Sequence, residues 1–450
     1  MKPRRPALPG RGRHPAVVIV AGFGLAVLSG TLLLATPQAT AGGEPSDWLT
    51  ALFTATSAVC VTGLIVVDTP THWSVFGEVV IALLIQIGGL GIMTLATLIM
   101  VIVSGRVGLR ARLSAQLETK SVVAADLRQV LRKVVLFSLV CEAAVAVVLT
   151  TRFVIAYGEP PGRAAYLGVF HAVSAFNNAG FALWPDNLMR FVADPWICLT
   201  VAAAVIVGGL GYPVVFDLLR HWRRPSRWSL LTRVTVGLSV LLIGAAMPAF
   251  LAAEWRNPGT MGPLDDSAKL LSAFFAAVMP RSGGFNTLDI GQMNPSSWLF
   301  TDVLMFIGGG SAGTAGGIKV TTFGFLLFMV WAELRGENQV NIGHRRLPAA
   351  TQRQALSISL LGAGLVTLSA LLMLTITSHG LDRVLFEVIS AFGTNGLSTG
   401  ITASTPPAGH VLLSLLMFVG RIGPLTLGSA LALKHRARRY ELPEERVIVG

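Results

Sequence analysis

The chain has 450 residues, of which 53% are hydrophobic and 13% are charged, and it carries a formal net charge of +12. Ordinary soluble domains are about 25% charged, so the polar residues here cannot cover the surface of one water-soluble globule of this length. Glycine is unusually frequent, with 48 residues, and the three cysteines have no spacing typical of a zinc site or a disulfide framework.

Apolar segments long enough to cross a membrane recur along the chain. A helix of about 20 residues spans the ~30 Å hydrocarbon core, and eight segments meet this requirement: residues 16–36, 75–104, 134–157, 196–219, 234–253, 298–330, 356–378 and 411–433. Lysine and arginine concentrate before the first segment and after every second one, at residues 2–13, 106–133, 220–233, 335–353 and 434–446. Because basic loops stay on the cytoplasmic side, we predict eight spans with both termini in the cytoplasm.

The first 41 residues also have features of a secretory signal. They combine basic residues, an apolar run and small residues ending in Ala39-Thr40-Ala41. The apolar run is longer than the ~7–15 residues of a signal core, and its removal would leave an odd number of spans. We therefore predict that the first span is retained.

Each predicted outer side carries a shorter apolar segment that cannot span the membrane. These segments suit re-entrant half-helices and lie at residues 46–59, 164–176, 266–279 and 381–392. Each is followed by a similar stretch with one aligned glycine, namely Gly63, Gly180, Gly284 and Gly396. A second motif follows at residues 87–91 (IGGLG), 207–211 (VGGLG), 307–311 (IGGGS) and 419–423 (VGRIG). Two motifs that recur at nearly constant spacing indicate that one structural unit is used four times.

The resulting prediction is an all-α integral membrane protein of four tandem repeats, with eight transmembrane spans around a central pore. Each repeat contains a helix, a re-entrant pore half-helix with its filter loop, and a second helix. The predicted boundaries are a cytoplasmic N-terminal arm at 1–15, repeat 1 at 16–105, a cytoplasmic loop plus repeat 2 at 106–220, repeat 3 at 221–335, repeat 4 at 336–434 and a cytoplasmic C-terminal tail at 435–450. Irregular backbone at membrane depth is tolerated only where it is buried in protein or lines a wet cavity, which favours a pore.

The four aligned glycines suit an ion-selectivity filter. A dehydrated K⁺ ion requires oxygen ligands, which K⁺ channels supply as rings of backbone carbonyls, and glycine allows the backbone angles that turn carbonyls to one side. We predict that K⁺ binds at the backbone carbonyls of Cys60, Val61, Thr62, Gly63, Asn177, Asn178, Ala179, Gly180, Arg281, Ser282, Gly283, Gly284, Thr394, Asn395 and Gly396. The alternative is that these glycines only pack helices, but their common register after four half-helices favours the filter. For the second motif, close packing of inner helices on the loops is the preferred interpretation.

The third inner span is interrupted by GGGSAGTAGGIK at residues 308–319. So much glycine disfavours a uniform helix, and we predict two helical pieces joined by a flexible loop that gates the ion path below the filter. The predicted gate residues are Gly308, Gly309, Gly310, Ser311, Gly313, Thr314, Gly316, Gly317, Lys319 and Arg421. A phosphate-binding loop is the alternative, but the Walker A spacing is absent.

Three polar residues in apolar segments each have two interpretations. Arg421 occupies the position of a glycine in the other units, which predicts an electrostatic barrier facing the axis; the alternative is a structural pair with Glu387 or another buried acid. Arg281 either points outward or braces its loop. His171 is expected to contribute to packing or filter support rather than to act as a base.

With the four loops, GTAGGIK (313–319) and GRIGPLT (420–426), the chain resembles the Trk/Ktr/HKT superfamily of cation transporters, most closely its KtrB-type, TrkH-like membrane subunits. The resemblance implies K⁺ uptake across a bacterial plasma membrane, driven by the membrane potential, with Na⁺ dependence common in such systems. It implies a homodimer among membrane lipids, docked on a cytoplasmic ring of KtrA or TrkA type that binds ATP, ADP or NAD. No cofactor, other than the transported K⁺ or Na⁺, and no nucleic acid partner are expected for this chain.

Some positions depart from the pattern of that superfamily. Cys60 stands where threonine is frequent, and Ser282-Gly283 replaces a commoner threonine-alanine pair; both changes leave the carbonyls in place. Gly63 favours K⁺, because a serine there goes with Na⁺ preference in relatives. The alternatives are a Na⁺-permeable or K⁺/Na⁺-symporting member and a secondary transporter with rocking halves. An enzyme is not expected, because the sequence lacks HExxH and paired intramembrane aspartates.

Overall fold

The computed structural model describes residues 15–105, 119–311, 313–337, 339–343 and 345–423. Three parts of the predicted organisation lie outside these ranges. They are nearly all of the N-terminal arm, the basic stretch at 106–118, and residues 424–450, which contain the end of the last predicted span and the C-terminal tail.

The described residues form mainly helices joined by loops, as the all-α prediction requires. In chain order the helices are α1 (Pro15–Leu34), α2 (Trp48–Val59), α3 (Thr69–His72), α4 (Val75–Gly105), α5 (Thr119–Tyr157), α6 (Pro161–Phe176), α7 (Pro195–Leu210), α8 (Tyr212–His221), α9 (Leu230–Glu254), α10 (Asp266–Val278), α11 (Pro295–Phe306), α12 (Val320–Leu334), α13 (Ala349–Ile376), α14 (Leu381–Gly393) and α15 (Pro407–Ile422). Between α12 and α13, β1 (Asn341–Ile342) pairs antiparallel with β2 (Arg345–Arg346).

Several helices have the length and surface of membrane spans. Among the described residues, Leu131–Tyr157 within α5, α9 and α13 are each long and apolar enough to cross a membrane, and α7 with α8 meets the same requirement as a bent pair. Large apolar side chains such as Ile155, Val240 and Leu360 are exposed on these helices. Exposed apolar surface of this kind suits contact with lipid, where every backbone polar group must be satisfied within the protein.

The predicted inner span at 196–219 is not one continuous helix, and that prediction is wrong. α7 ends at Leu210, and α8 leaves at an angle of 102° to it. Gly211, between them, has φ 88°, a conformation that side chains other than glycine rarely adopt. Pro213 lies in the first turn of α8, where the missing proline N–H costs no hydrogen bond. The Gly-Tyr-Pro sequence thus bends the chain although its hydropathy stays high.

The four predicted half-helices are present as α2, α6, α10 and α14. The Asp47 carboxylate caps α2 by accepting hydrogen bonds from the N–H groups of Leu49 (3.1 Å) and Thr50 (3.3 Å). α10 and α14 carry Asp266 and Asp382 in their first turns. Acidic residues stabilise the positive end of the helix dipole, so these residues favour helix formation at the starts of α2, α10 and α14.

Two large apolar clusters hold the half-helices in place. The first includes Val59 of α2 and Phe170 of α6, and the second includes Ala273 of α10 and Phe386 of α14. Lipid is as apolar as these side chains, so close packing rather than exclusion from water holds helices together in such surroundings.

Candidate functional site

The chain after each half-helix adopts the same unusual backbone conformation. We call residues 60–63, 177–180, 281–284 and 394–396 the filter loops. Two residues before each aligned glycine, φ is positive at Val61 (54°), Asn178 (63°), Ser282 (71°) and Thr394 (45°). The glycines have φ values of 92° at Gly63, 70° at Gly180, 72° at Gly284 and 95° at Gly396. Positive φ is uncommon outside glycine, so its recurrence at two matched positions shows that the four loops share one conformation.

The four aligned glycines meet in a closed ring, called the glycine ring below. Gly63 lies against Ala179 and Gly180, Gly180 against Gly284, Gly284 against Asn395, and Gly396 against Thr62 and Gly63. A methyl group on any of the four would come within 3.0 Å of the neighbouring loop's backbone. These positions therefore require glycine both for its backbone freedom and for its lack of a side chain.

Serines of the half-helices hold the filter loops from behind. The Ser57 hydroxyl accepts a hydrogen bond from the N–H of Gly63, and the Ser390 hydroxyl accepts one from the N–H of Gly396, both at 3.1 Å. Ser174 has the same offset in the second unit and donates to the carbonyl after the ring glycine at 2.8 Å. Because buried backbone groups need partners, these contacts help to fix the loop conformation.

A second pair of contacts ties the half-helices to the chain beyond the ring. His171 Nε2 accepts a hydrogen bond from the N–H of Leu183 (3.2 Å), and its Nδ1 lies 2.7 Å from the Leu167 carbonyl. At the matching position of the fourth unit, Glu387 accepts a hydrogen bond from the N–H of Thr399 (2.9 Å). Both side chains are buried, and the interpretation of His171 as a packing and support residue is confirmed.

The first glycine of the second motif packs an inner helix against the half-helix of its own unit. Each of the three contacts involves the carbonyl four residues before the ring glycine. A methyl group at Gly88, Gly208 or Gly420 would collide with the carbonyl of Val59, Phe176 or Phe392, respectively. The packing interpretation is confirmed at these three positions.

The third inner span is broken where the glycine run predicts a break. α11 ends at Phe306 and α12 begins at Val320. The segment between them closes on itself, because Gly308 N–H donates to the Ile318 carbonyl (2.8 Å) and Val320 N–H donates to the Gly309 carbonyl (2.9 Å). We call residues 308–319 the glycine-rich loop, of which Ala312 is outside the described residues.

The glycine-rich loop lies directly against three filter loops. The Thr314 hydroxyl donates to Asn178 Oδ1 at 2.8 Å, and Gly316 N–H donates to the Ser282 hydroxyl at 3.1 Å. Ser282 in turn donates to the Thr394 carbonyl at 2.8 Å. The loop is thus positioned to respond to, or to alter, the conformation of the filter loops.

The opposite side of the glycine-rich loop packs on the end of α7. Gly310 N–H donates to the Gly209 carbonyl (2.8 Å), and Thr314 N–H donates to the Gly208 carbonyl (3.1 Å). A methyl group at Gly313 would come within 3.0 Å of these carbonyls. The loop and the bend at the end of α7 therefore share one packing surface.

The remaining predicted gate residues of the loop have distinct contacts. The hydroxyls of Ser311 and Thr321 lie 2.7 Å apart, and Gly317 has φ 65°. The Lys319 ammonium group donates to the Ala315 carbonyl. The last side chain of the glycine-rich loop is therefore held by the backbone of the loop itself.

Arg421 is buried and joins the glycine-rich loop to α4. Its guanidinium donates to the Thr314 carbonyl and, at 3.3 Å, to the Gly88 carbonyl. Glu387 does not bind it, because this carboxylate accepts its hydrogen bonds from Ser398, Thr399 and Thr402. A pair between Arg421 and Glu387 is therefore not formed, and backbone carbonyls are the partners of the guanidinium.

Arg281 is also buried, but its side chain leaves the filter. It donates to the Ser239 hydroxyl of α9 at 2.9 Å. The contact braces the third filter loop against α9, which confirms the bracing interpretation.

Some residues of the site were not identified from the sequence. Ser57 and Ser390 could have been found, because a serine lies six residues before three of the four ring glycines. Ser239, Gln86 and Glu142 contact filter residues only through tertiary packing, which no local pattern reveals.

Comparisons with known proteins agree with this geometry. The family model for TrkH, described as cation transport protein, matches residues 9–441. The chain is 42% identical to the Ktr system potassium uptake protein B of Bacillus subtilis, over 97% of this chain and 97% of that protein. It is 35% identical to the potassium/sodium uptake protein NtpJ of Enterococcus hirae, over 97% of each. The crystal structure of the potassium transporter TrkH from Vibrio parahaemolyticus has the same fold, with a TM-score of 0.74, 18% identity and coverage of 96% of this chain and 87% of that one.

Proposed function

This chain belongs to the TrkH family of cation transport proteins, and we propose that it takes up K⁺ through a pore formed by the four filter loops. It is an integral membrane protein, with apolar spans among its described helices. The observation that carries the proposal is the glycine ring, in which four loops of one conformation close around a common centre. The relatives named for potassium uptake, matched over nearly their full length, support K⁺ as the ion.

The proposed filter binds K⁺ through backbone carbonyls of the filter loops. Carbonyl oxygens replace the hydration shell of the ion as it enters. The half-helices direct their C-terminal ends, each equivalent to about −0.5 charge, toward the ring and favour a cation there. Inward flow follows from the membrane potential, which contributes ~2.3 kcal/mol per charge per 100 mV.

The proposed gate consists of the glycine-rich loop and Arg421. The guanidinium repels a cation that leaves the filter, and a like charge at about 6 Å costs on the order of 3 kcal/mol at an effective dielectric constant of about 20. Its hydrogen bond to the Thr314 carbonyl also tethers the loop against the filter. Movement of the loop would free the Arg421 guanidinium from its tether and open the ion path at the same time.

The proposed architecture has eight spans in four repeats and cytoplasmic termini in the plasma membrane of a bacterium. We propose a homodimer docked on a cytoplasmic ring of KtrA or TrkA type, whose nucleotide, ATP, ADP or NAD, sets the position of the gate. The word "system" in the names of the Ktr relatives supports a partner subunit. Uptake that depends on Na⁺ belongs to the same proposal.

A second candidate is transport of Na⁺ as well as K⁺. The name of the Enterococcus hirae relative, a potassium/sodium uptake protein, favours it. Cys60, the first residue of the first filter loop, also stands where threonine is frequent in the superfamily. A transporter with rocking halves receives less support, because the filter loops from both halves of the chain meet in one ring.

Growth at low K⁺ tests the proposed function. A bacterial strain without its own K⁺ uptake systems should grow in submillimolar K⁺ when it expresses this chain with a ring-forming partner subunit. The matched control is the same strain with Gly63→Ser, which should require more K⁺. Failure of the wild-type chain to support growth, despite normal membrane insertion with the partner present, would contradict K⁺ uptake.

A further inference from the structure

The membrane-spanning part of α5 contains a buried carboxyl group. Glu142 is 5% exposed and accepts hydrogen bonds at both of its oxygens. Gln86 Nε2, from α4, donates to Oε1 at 3.0 Å and Oε2 at 3.2 Å, and the Ser138 hydroxyl donates to Oε1 at 2.8 Å. An ionisable residue at membrane depth is costly and marks a functional site by default.

The same carboxyl group binds the second filter loop. Asn177, the first residue of that loop, has its Nδ2 3.1 Å from Glu142 Oε1 and 2.9 Å from Gln86 Oε1. Its Oδ1 lies against Gly89 of α4. Glu142 and Gln86, together with the Val173 carbonyl that accepts a hydrogen bond from the same Nδ2 at 2.9 Å, fix the orientation of the Asn177 amide.

The hydrogen-bond partners of the Glu142 side chain suit an ionised carboxyl group, which only accepts hydrogen bonds. Each described hydrogen bond at its carboxyl group is donated to it, by the Ser138 hydroxyl and by the amides of Gln86 and Asn177. An amide at position 142 would direct an NH2 group at the NH2 group of a neighbour and lose at least one of these bonds. The donors offset the cost of burying the charge.

The next residue of the filter loop connects this cluster to the proposed gate. Asn178 Oδ1 accepts a hydrogen bond from the Thr314 hydroxyl at 2.8 Å. The Thr314 carbonyl accepts one from the Arg421 guanidinium. Two successive asparagines thus join Glu142 on one side of the filter to the glycine-rich loop on the other. The corresponding residues of the other loops, Cys60-Val61, Arg281-Ser282 and Gly393-Thr394, include no asparagine.

We propose that Glu142 is a positioning residue for ion selectivity. Its carboxylate orients Asn177, and this contact holds the second filter loop in register with the other three. The inference rests on the proposed function, because selectivity is defined only for a chain that conducts ions. α5 extends from Thr119 to Tyr157, so one continuous helix connects Glu142 to the predicted cytoplasmic side.

Glu142→Gln tests the proposal in liposomes containing the full chain. The ratio of ⁸⁶Rb⁺ to ²²Na⁺ uptake should fall about tenfold, the change expected when one charge-assisted hydrogen bond is lost. The control is Glu78→Gln, which removes another buried carboxyl group; among the described residues this group accepts a hydrogen bond from the Tyr166 hydroxyl and from no filter residue. The control should keep the ratio within about twofold of wild type, because a twofold change corresponds to less free energy than the loss of one hydrogen bond.

A combined variant separates positioning through Asn177 from a general structural role. If Glu142 acts by orienting Asn177, Asn177→Ala should lower the ratio about as much as Glu142→Gln, and the two changes together should lower it by no more than about threefold beyond either single variant, because the effects of residues in one hydrogen-bond network are not additive. A wild-type ratio in monodisperse Glu142→Gln protein would overturn the proposal, as would losses that multiply in the combined variant. If Glu142→Gln protein does not fold, Glu142→Asp is measured instead, and an unchanged ratio would again overturn it. Absence of Rb⁺ uptake by the wild type would instead count against the proposed function.

Discussion

Gly63 illustrates how one residue sets the geometry of the filter. It has φ 92°, and the Ala179 carbonyl of the next loop occupies the place of a side chain. Gly63→Ser should lower the preference for K⁺ over Na⁺ about tenfold, because strained backbone of this kind costs ~1–3 kcal/mol and about 1.4 kcal/mol is a factor of ten. Competition of K⁺ and Na⁺ against ⁸⁶Rb⁺ uptake measures the preference.

The matched control for this change is Gly364→Ser in α13. A methyl group at Gly364 meets nothing within 4 Å, so this variant should keep the wild-type preference. Equal preferences in both variants would argue against the assignment of Gly63 to the filter.

Arg421 is expected to limit the flow of cations below the filter. Its neutralisation in Arg421→Gln removes a buried positive charge and weakens the tether to Thr314 and Gly88. Cation uptake should rise at least about fivefold, because fivefold corresponds to only about 1 kcal/mol, a fraction of the ~3 kcal/mol of repulsion between like charges at about 6 Å. The measurement is initial ⁸⁶Rb⁺ uptake at matched protein amounts.

Arg383→Gln is the control for Arg421→Gln. Arg383 lies over the Trp298 ring at 5.6 Å and contacts no filter loop in the described residues, so its loss should leave uptake unchanged. An Arg421→Gln variant with normal folding and wild-type uptake would show that this residue is not a barrier.

Residues that recur in every repeat can be predicted from the sequence, whereas residues that meet only through tertiary packing cannot. Gly63, Gly180, Gly284 and Gly396 could be aligned because their half-helices and spacings match. The sequence does not decide whether Arg421 binds a carboxylate or backbone carbonyls, because this depends on where the fold places the Thr314 carbonyl. Glu142 precedes Asn177 by 35 residues and has no counterpart motif, so its contact with the filter follows only from the packing of α5.

Among the elements, the glycine-rich loop is the part expected to move. Gly309→Ala with Gly310→Ala would place methyl groups within 3.0 Å of the Gly209 and Leu210 carbonyls, and overpacking of this kind costs ~1–3 kcal/mol. The loop should therefore leave its position on α7, and ⁸⁶Rb⁺ uptake without a partner subunit should rise. Flux assays on the purified chain measure this effect.

The control changes two glycines of α9 that have open surroundings. A methyl group at Gly237 or Gly244 meets nothing within 4 Å, so Gly237→Ala with Gly244→Ala should conduct like the wild type. A loop variant that conducts no faster than this control would contradict the gate.

Two helix interruptions show what hydropathy can and cannot predict. The break between α11 and α12 was foreseeable because glycines are dense across it. The bend of 102° between α7 and α8 was missed, because a single Gly211 followed by Pro213 barely changes the hydropathy of a 24-residue window. Backbone conformation at one residue, rather than composition, decides the direction of α8.

The positions of the basic loops along the chain predict its orientation in the membrane. Glu44 lies between α1 and α2 on the predicted outer side, and Arg227 lies between α8 and α9 on the predicted cytoplasmic side; both are exposed. A membrane-impermeant maleimide should label Glu44→Cys in intact cells and Arg227→Cys only after permeabilisation. The wild-type chain, with Cys60 and Cys198 buried, gives the background. Labelling in the reverse order would contradict the orientation.

The proposed function is selective uptake of K⁺ through the ring of four filter loops. The most direct measurement is uptake of ⁸⁶Rb⁺ and ²²Na⁺ into liposomes that contain the purified chain, with and without an inside-negative potential. The proposed function predicts that the potential drives ⁸⁶Rb⁺ into these liposomes, that ²²Na⁺ enters more slowly, and that liposomes without protein take up neither. Equal ⁸⁶Rb⁺ uptake by liposomes with and without the chain would contradict the pore.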